Sequence, residues 1–245
     1  MPNKKAKVAA IIPARWGSTR FPGKPLHVIA GKPLIQHVWE RCREAKRLDE
    51  IVIATDDMRI AEAAFEFGAE VALTSEKHRS GTDRIAEVAK KMKHITHVLN
   101  VQGDEPLVSA KLLDRLVDSL IKTGAEMATA ATPFAEGEPV DNPNAVKVII
   151  NRAGNAIYFS RSVIPFVRDA GISFPWMRHQ GIYAYSREFL LQMVKWKPTA
   201  LECVEQLEQL RAIEHGARIQ VLVTKHASMG VDTPADAEAA AVLLA

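Results

Sequence analysis

The sequence predicts an α/β protein built on a mostly parallel sheet with helices on both faces. Three observations carry that expectation. Short apolar runs such as Val8-Ala-Ala-Ile-Ile12 and Ile51-Val-Ile-Ala54 have the look of strands buried on both sides. Helix-periodic segments of about ten to fifteen residues separate such runs up to residue 132, the pattern of repeated βαβ units. The chain is 245 residues long, 47% hydrophobic and 25% charged, enough to bury a core without disulfide or structural metal.

Each element follows from its local chemistry. Val8–Ile12 is the first strand, closed by Pro13. Lys4, Lys5 and Lys7 ahead of it resemble the opening of a signal peptide, but Pro13 and Arg15 interrupt the apolar stretch, and a buried strand is the better reading. A Gly- and Pro-punctuated loop, Ala14 to Gly31, comes next. Pro33 then suits the first position of a helix whose Leu34, Ile35, Val38 and Trp39 fall on one face. After the strand Ile51–Ala54, Thr55-Asp56-Asp57 supplies turn and cap chemistry. A helix with Ile60, Ala64 and Phe67 on one face follows and stops at Gly68. Val71–Leu73 is a third strand, Gly81–Lys93 a helix, Val98–Val101 a fourth strand and Ser109–Lys122 a further helix.

The alternation then breaks. Pro133 to Asn144 is loop-rich, Val146–Ile150 and Ala156–Phe159 read as strands around an Asn-Arg-Ala-Gly turn, and Val163 to Trp176 is irregular. Regular structure resumes with the strand Gly181–Tyr185, helices at Arg187–Val194 and Glu205–His215, the strand Ile219–Val223 and a helix from Pro234. Residues 133–178 are therefore expected to be a smaller β-rich insertion on one Rossmann-like domain spanning 1–245.

Composition excludes several classes. No apolar run reaches the ~18 residues of a membrane span. The net charge is only +3, and its basic residues are spread along the chain instead of forming the stripe of a nucleic-acid binder. Cys42 and Cys203 form no CxxC pair, which suits a reduced, cytoplasmic setting.

In an open parallel sheet, ligands bind at the carboxyl ends of the strands. The loop after the first strand, Pro13-Ala-Arg-Trp-Gly-Ser-Thr-Arg-Phe-Pro-Gly-Lys-Pro25, offers two glycines, two hydroxyls and the cations Arg15, Arg20 and Lys24. Backbone N–H groups freed by glycine, beside those cations, make a polyphosphate cradle. The P-loop pattern GxxxxGK[ST] fails, because five residues separate Gly17 from Gly23 and Pro25 follows Lys24. The fourth strand ends in Gln102-Gly-Asp104-Glu-Pro, where a carboxylate suits either magnesium on substrate phosphates or a simple turn. Asp232, in Gly230-Val-Asp-Thr-Pro234, reads locally as a helix N-cap. Ser80 and Gly81 open a helix and suit either a cap or a nucleotide contact. His179 precedes a strand that carries Tyr183 and Tyr185 on one side. Glu202, Glu205 and Glu208 recur at three-residue spacing with Arg211 next in the row, the pattern of a solvated, ion-paired helix face.

Taken in order, "IIPARWGSTRFPGKPL", "SGTDR", "VQGDEPL", "NPNAVKV", "YFSR", "RHQGIYAY", "LEQLR" and "GVDTP" resemble the motifs of the 3-deoxy-manno-octulosonate cytidylyltransferase family, from about Ala9 to Ala237. The resemblance implies a nucleotidyltransferase that joins CMP from CTP to the anomeric hydroxyl of a 2-keto sugar acid (Kdo), releasing pyrophosphate for lipopolysaccharide biosynthesis. It implies a triphosphate gripped by Ala14, Arg15, Ser18 and Lys24, with Ser80, Gly81 and Gln102 facing the nucleotide. It implies a sugar pocket of Gln102, Arg161, His179, Tyr183, Glu208 and Gln209, with Mg2+ on Asp104 and Asp232. Related readings are a cytidylyltransferase for 8-amino-Kdo or N-acylneuraminate, or a non-catalytic nucleotide-binding regulator. The chain departs from the family pattern at Trp16, where Tyr is expected, and in a short Val167–Met177 segment. The family is dimeric. Phe134, Phe159, Phe166, Phe174 and Trp176 place five large aromatics in the insertion, so a homodimer contact is expected there, with packing on the chain's own sheet as the alternative.

Overall fold

A computed structural model describes residues 6–17, 21–169, 171–225 and 229–244. The first half runs β1 (Val8–Ala14), a short 3-10 turn at Lys24–Leu26, β2 (Val28–Ile29), β3 (Lys32–Pro33), α1 (Leu34–Arg43), β4 (Glu50–Thr55), α2 (Met58–Glu66), β5 (Glu70–Leu73), α3 (Gly81–Lys91), β6 (His97–Asn100) and α4 (Ala110–Thr123). The second half adds β7 (Met127–Pro133), β8 (Lys147–Ile150), β9 (Ala156–Ser160), β10 (Met177–Ser186), α5 (Arg187–Met193), α6 (Ala200–Glu205), α7 (Gln209–Glu214), β11 (Ile219–Val223) and α8 (Pro234–Leu244).

The main sheet has the order β11-β7-β10-β6-β1-β4-β5. Its neighbours are parallel, except that β10 runs against both β6 and β7. The reversal has a simple origin. Met177 at the start of β10 pairs with Pro133 at the end of β7, so the whole insertion is the connection of one very long hairpin. The chain lays β4 and β5 on one side of β1 and then returns to place β6 on the other. The gap between the carboxyl ends of β1 and β6 is thus the topological switch point, where ligands bind in such sheets.

The sheet divides the core into two layers. Val8, Ala10, Ile12 and Ala14 face one layer with α1, α2 and α4. Ala9 and Ile11 face the other, with α3, α5, α7 and the β8–β9 hairpin. A third, smaller cluster of Ile29, Leu34, Val231, Ala237 and Ala240 pins α8 onto the β2–β3 hairpin. That hairpin turns on Ala30 and Gly31, both at positive φ, and was hidden inside what the sequence reads as one long loop. Among the described residues, no helix is long and apolar enough to cross a membrane.

One strand is missed by the sequence reading, and three expectations are corrected. The 127–133 stretch, Met-Ala-Thr-Ala-Ala-Thr-Pro, is a strand buried over all but its last residue; its alanines have little β-propensity, so only tertiary packing makes it one. The helix expected over Glu205–His215 shrinks to Gln209–Glu214, and Glu205 instead ends a separate helix, Ala200–Glu205, that stops where Gln206 takes φ +53°. The acidic row is consequently not a solvated face. Glu202 is buried against Arg211, whose Nε lies 2.7 Å from Glu202 Oε2. Glu205 accepts from Ser160 Oγ at 2.6 Å and from the Arg161 N–H at 2.9 Å. Finally, Phe159 is fully buried in this chain's own core and so takes no part in a contact with another molecule. Phe174 and Trp176 pack edge to face on each other, whereas Phe166 is 87% exposed.

Candidate active site

A cleft of about 330 Å³ opens at the switch point, lined among others by Ala14, Arg15, Lys24, Ser80, Gly81, Gln102, Asp104 and Asp232. Four separate pieces of chain deliver these residues. The end of β1 brings Ala14 and Arg15, and the 3-10 turn brings Lys24. The N-terminus of α3 brings Ser80 and Gly81, and the segment after β6 brings Gln102 and Asp104. Asp232 arrives from the connection between β11 and α8. Ser18 lies outside the described residues.

Gly103 lets the β6 segment come this close. A Cβ there would stand 2.8 Å from the carbonyl oxygen of Pro13 at the end of β1, so only glycine fits. Next to it, Lys24 places its Nζ 2.6 Å from Asp104 Oδ2 and 3.1 Å from Asp232 Oδ1. One ammonium thus ties together carboxylates more than a hundred residues apart in the chain. The local reading of Asp232 as the N-cap of α8 is wrong. Thr233 Oγ1 accepts from the Asp236 N–H at 3.3 Å, while Asp236 Oδ2 accepts from the Thr233 N–H at 2.8 Å. That reciprocal cap belongs to Thr233 and Asp236, so Asp232 is turned to Lys24 instead. Burial raises the Asp236 carboxyl, but bonds from Thr233 and from the Asp232 and Thr233 N–H groups outweigh it and hold the group low.

Ser80 does both things the sequence left open: its Oγ accepts from the Asp83 N–H at 3.2 Å, capping α3, and the residue also lines the cleft. The cleft holds residues the sequence did not single out as well. His78, Arg79 and Arg84 line it. Arg84 is buried and ion-paired to Asp56. His78 Nε2 sits 2.7 Å from Glu87 Oε2. The Glu87 carboxyl is pulled down to about 2, first by the Ser75 N–H, then by His78, with Lys91 adding to them. The cue for His78 and Arg79 was their place between β5 and the Ser80 cap, whereas Arg84 lies in the first turn of α3 itself.

The other expected residues form a second polar group on the β10 side. Tyr183 is register partner of Asn100 in β6, so the two share one face of the sheet. The His179 ring lies tilted against the Tyr183 ring at 5.4 Å, and its Nε2 is 2.9 Å from Thr129 Oγ1. The Thr129 hydroxyl donates to the Ile182 carbonyl at 2.8 Å, so it accepts from His179 Nε2–H. Burial holds the His179 imidazole down to about 3, hence neutral, with Nδ1 left as the acceptor. Burial, and then the charge of Glu208 among its neighbours, keeps the Tyr183 and Tyr185 hydroxyls protonated. Asn100 Oδ1 and Gln209 Nε2 are buried without a hydrogen-bond partner. Buried polar atoms in that condition call for a partner, which bound water or a ligand can supply.

Two links join the groups. Glu208 accepts from Thr82, the neighbour of Gly81. Gln102 Nε2 donates to the carbonyl of Gly181 at 3.3 Å, within the bulge of β10. Arg161 is not in the cleft. Its Nε and Nη1 donate to the Glu205 and Pro143 carbonyls at 2.8 and 2.9 Å, fixing the chain just ahead of Glu208.

Asp104 and Asp232 are hard oxygen donors, and among the described residues no third His, Cys, Asp or Glu joins them into a larger cluster. Two carboxylates, with the remaining positions left to water and phosphate, fit magnesium and not zinc.

A parallel sheet whose switch point carries a cationic loop and two convergent carboxylates defines a nucleotide-binding α/β protein of the phosphate-transferring kind. Comparison with known proteins narrows this. Residues 9–219 match the cytidylyltransferase family model, and the chain belongs to that family. It is 48% identical to a 3-deoxy-manno-octulosonate cytidylyltransferase of Syntrophobacter fumaroxidans, covering 98% of this chain and 97% of that one. The enzyme of the same name from Geobacter sulfurreducens is 47% identical, with 94% and 96% covered. Among solved structures, a CMP:2-keto-3-deoxy-manno-octonic acid synthetase complexed with CTP superposes with a TM-score of 0.93 at 38% identity, covering 98% of both chains. A 4-diphosphocytidyl-2C-methyl-D-erythritol synthase from Anaerococcus prevotii, at 17% identity and a TM-score of 0.65, shares the fold alone.

Proposed function

We propose that this chain transfers CMP from CTP to the anomeric hydroxyl of 3-deoxy-D-manno-octulosonate, releasing pyrophosphate and supplying CMP-Kdo for lipopolysaccharide biosynthesis. The observation that carries the reading is the Lys24 ammonium held at 2.6 and 3.1 Å from Asp104 and Asp232 at the switch point. The named relatives support the choice of CTP and Kdo.

The chemistry asks for alignment and charge neutralisation and needs no covalent intermediate. Arg15, Lys24 and the N–H groups of the loop that includes Ser18 oppose the triphosphate charge. Lys24 sits where charge gathers on departing pyrophosphate. Ala14, Ser80 and Gly81 border the nucleotide, and Gln102 lies between nucleotide and sugar. Tyr183, neutral His179, Glu208 and Gln209 present donors and acceptors to a polyhydroxylated acid, and Arg161 fixes the turn that aims Glu208. Asp104 and Asp232 would hold Mg2+, which when bound neutralises phosphate and carboxylate charge. The protein is read as cytoplasmic and as a homodimer, with exposed Val163, Phe166 and Ile172 of the insertion as the apolar surface to be covered.

The test is pyrophosphate release from CTP in the presence of magnesium with Kdo, with 8-amino-Kdo, with N-acetylneuraminate and with no sugar. Release that requires Kdo supports the reading. Release with N-acetylneuraminate alone overturns the substrate, and none with any sugar overturns the enzyme.

A further inference from the structure

Trp16 and Arg59 lie outside the polar groups described above, yet they make an unusual stack against the loop that carries Lys24. The Arg59 guanidinium carbon is 3.5 Å from the centroid of the Trp16 ring. On the ring's other contact, a Cβ on Gly23 would come within 3.0 Å of it, so the indole rests directly on the Gly23 backbone. The Gly23 N–H also donates to the Trp16 carbonyl at 3.3 Å, closing the neck of the loop. Gly23 takes φ +69° and is followed at once by Lys24. Arg59 is itself fixed: its Nε and Nη2 reach both oxygens of Asp57 at 2.9 and 2.6 Å, and Asp57 also caps α2. An Asp57–Arg59–Trp16–Gly23 chain therefore runs from the rigid start of α2 to the peptide that bears the ammonium.

We propose that Arg59 is a positioning residue for nucleotidyl transfer: by clamping Trp16 onto Gly23 it fixes the loop neck and holds Lys24 at the Asp104–Asp232 pair. The proposal rests on the CTP reading for its activity arm, and its physical arm does not. A cation over indole is worth enough to bias a loop but not to hold a fold, so the effect belongs in CTP binding and turnover with the melting temperature little changed. Among the described residues nothing ties it to the β10 group, so the Michaelis constant for the sugar acid stays put.

The experiment is a double-mutant cycle on the full-length chain with Arg59→Ala and Trp16→Leu. Arg59→Ala is expected to raise the CTP dissociation constant about two- to fivefold and to lower kcat, with the Kdo constant unchanged. Arg59→Lys should restore most of the loss, and Arg59→Gln should not. The double variant should be no worse than Trp16→Leu alone, because the two residues act as one unit. Separately, acrylamide quenching of Trp16 fluorescence, taken as the difference between parent and Trp16→Phe without nucleotide, should rise in Arg59→Ala. Additive losses, parental CTP constants in Arg59→Ala, or unchanged quenching would each overturn the clamp. A parent that binds no CTP would instead sink the functional reading, and the quenching arm would still decide the clamp.

Discussion

The two halves of the site are built by different means. On the nucleotide side, short loops leave strand ends and deliver their residues at once: Ala14 and Arg15 end or follow β1, Gln102 and Asp104 follow β6, and Ser80 caps α3. On the β10 side, His179, Tyr183, Glu208 and Gln209 come from a strand and a helix start, and are aimed by long-range bonds to Thr129, Thr82 and the Arg161 strap. A loop at a strand end shows its function in consecutive letters. A pocket wall made by packing shows it only once folded.

The largest expected effect tests the nucleotide side. Asp104→Asn and Asp232→Asn are nearly isosteric and should keep the far-UV spectrum, yet lower turnover by at least about a hundredfold, since an amide opposes neither Lys24 nor magnesium in the same way. Near-parental turnover at limiting magnesium in either variant removes that residue from the pair. Next is Lys24→Ala, expected to lower kcat by about a hundredfold and CTP affinity far less, because its charge counts most as pyrophosphate leaves. A change confined to the CTP Michaelis constant would show uniform binding instead.

The β10 side should respond in the other substrate. Glu208→Gln and Gln209→Ala are expected to raise the Kdo Michaelis constant about tenfold and to leave that for CTP nearly alone. A matched rise in both constants would erase the division between the halves.

Acid titration sharpens the comparison with the smallest effect. The folded state holds the His179 imidazole at about 3, against an ordinary value of 6.5. Its burial therefore costs the folded state nothing in linkage above pH 6.5 and progressively destabilises it as pH falls toward 3. Glu87, held at about 2 against 4.5, keeps its contribution down to pH 4.5 and loses it below that. Across pH 7 to 2.5, urea midpoints should thus show the parent losing ground to His179→Gln between about pH 6.5 and 3, and Glu87→Gln closing on the parent only below pH 4.5. For partly exposed Glu87 the gap at neutral pH should be about 1 kcal/mol. A single shared window would show that the groups are not separately poised.

The same contrast explains what could be read beforehand. The parallel strands of the first half were legible because each holds a short apolar run and each helix has a stripe, whereas the β2–β3 hairpin, two residues to a side, was not. Strand β7 was not, because Ala-Thr sequence carries no β signal until α4 and β11 cover it. The meeting of Lys24 and Asp104 in one cleft was foreshadowed by their places in loops at strand ends, although Asp104 also suited a simple turn. Asp232 was masked by a plausible cap, and only the Thr233–Asp236 pair shows why the cap did not need it. The Glu202–Glu205–Glu208 row misled because three-residue spacing implies one helix, and positive φ at Gln206 cannot be read from a glutamine.

The contact between Lys24 and Asp232 spans 208 positions. It joins the 3-10 turn after the first strand to the connection between β11 and α8, so the acidic pair is complete only when both regions are in place. Docking of α8 on the β2–β3 hairpin and the start of α1, through Val231, Ala237 and Ala240 against Ile29 and Leu34, is what sets Asp232 beside Lys24. A small apolar cluster outside the two main core layers thus fixes the geometry of a polar contact in the cleft.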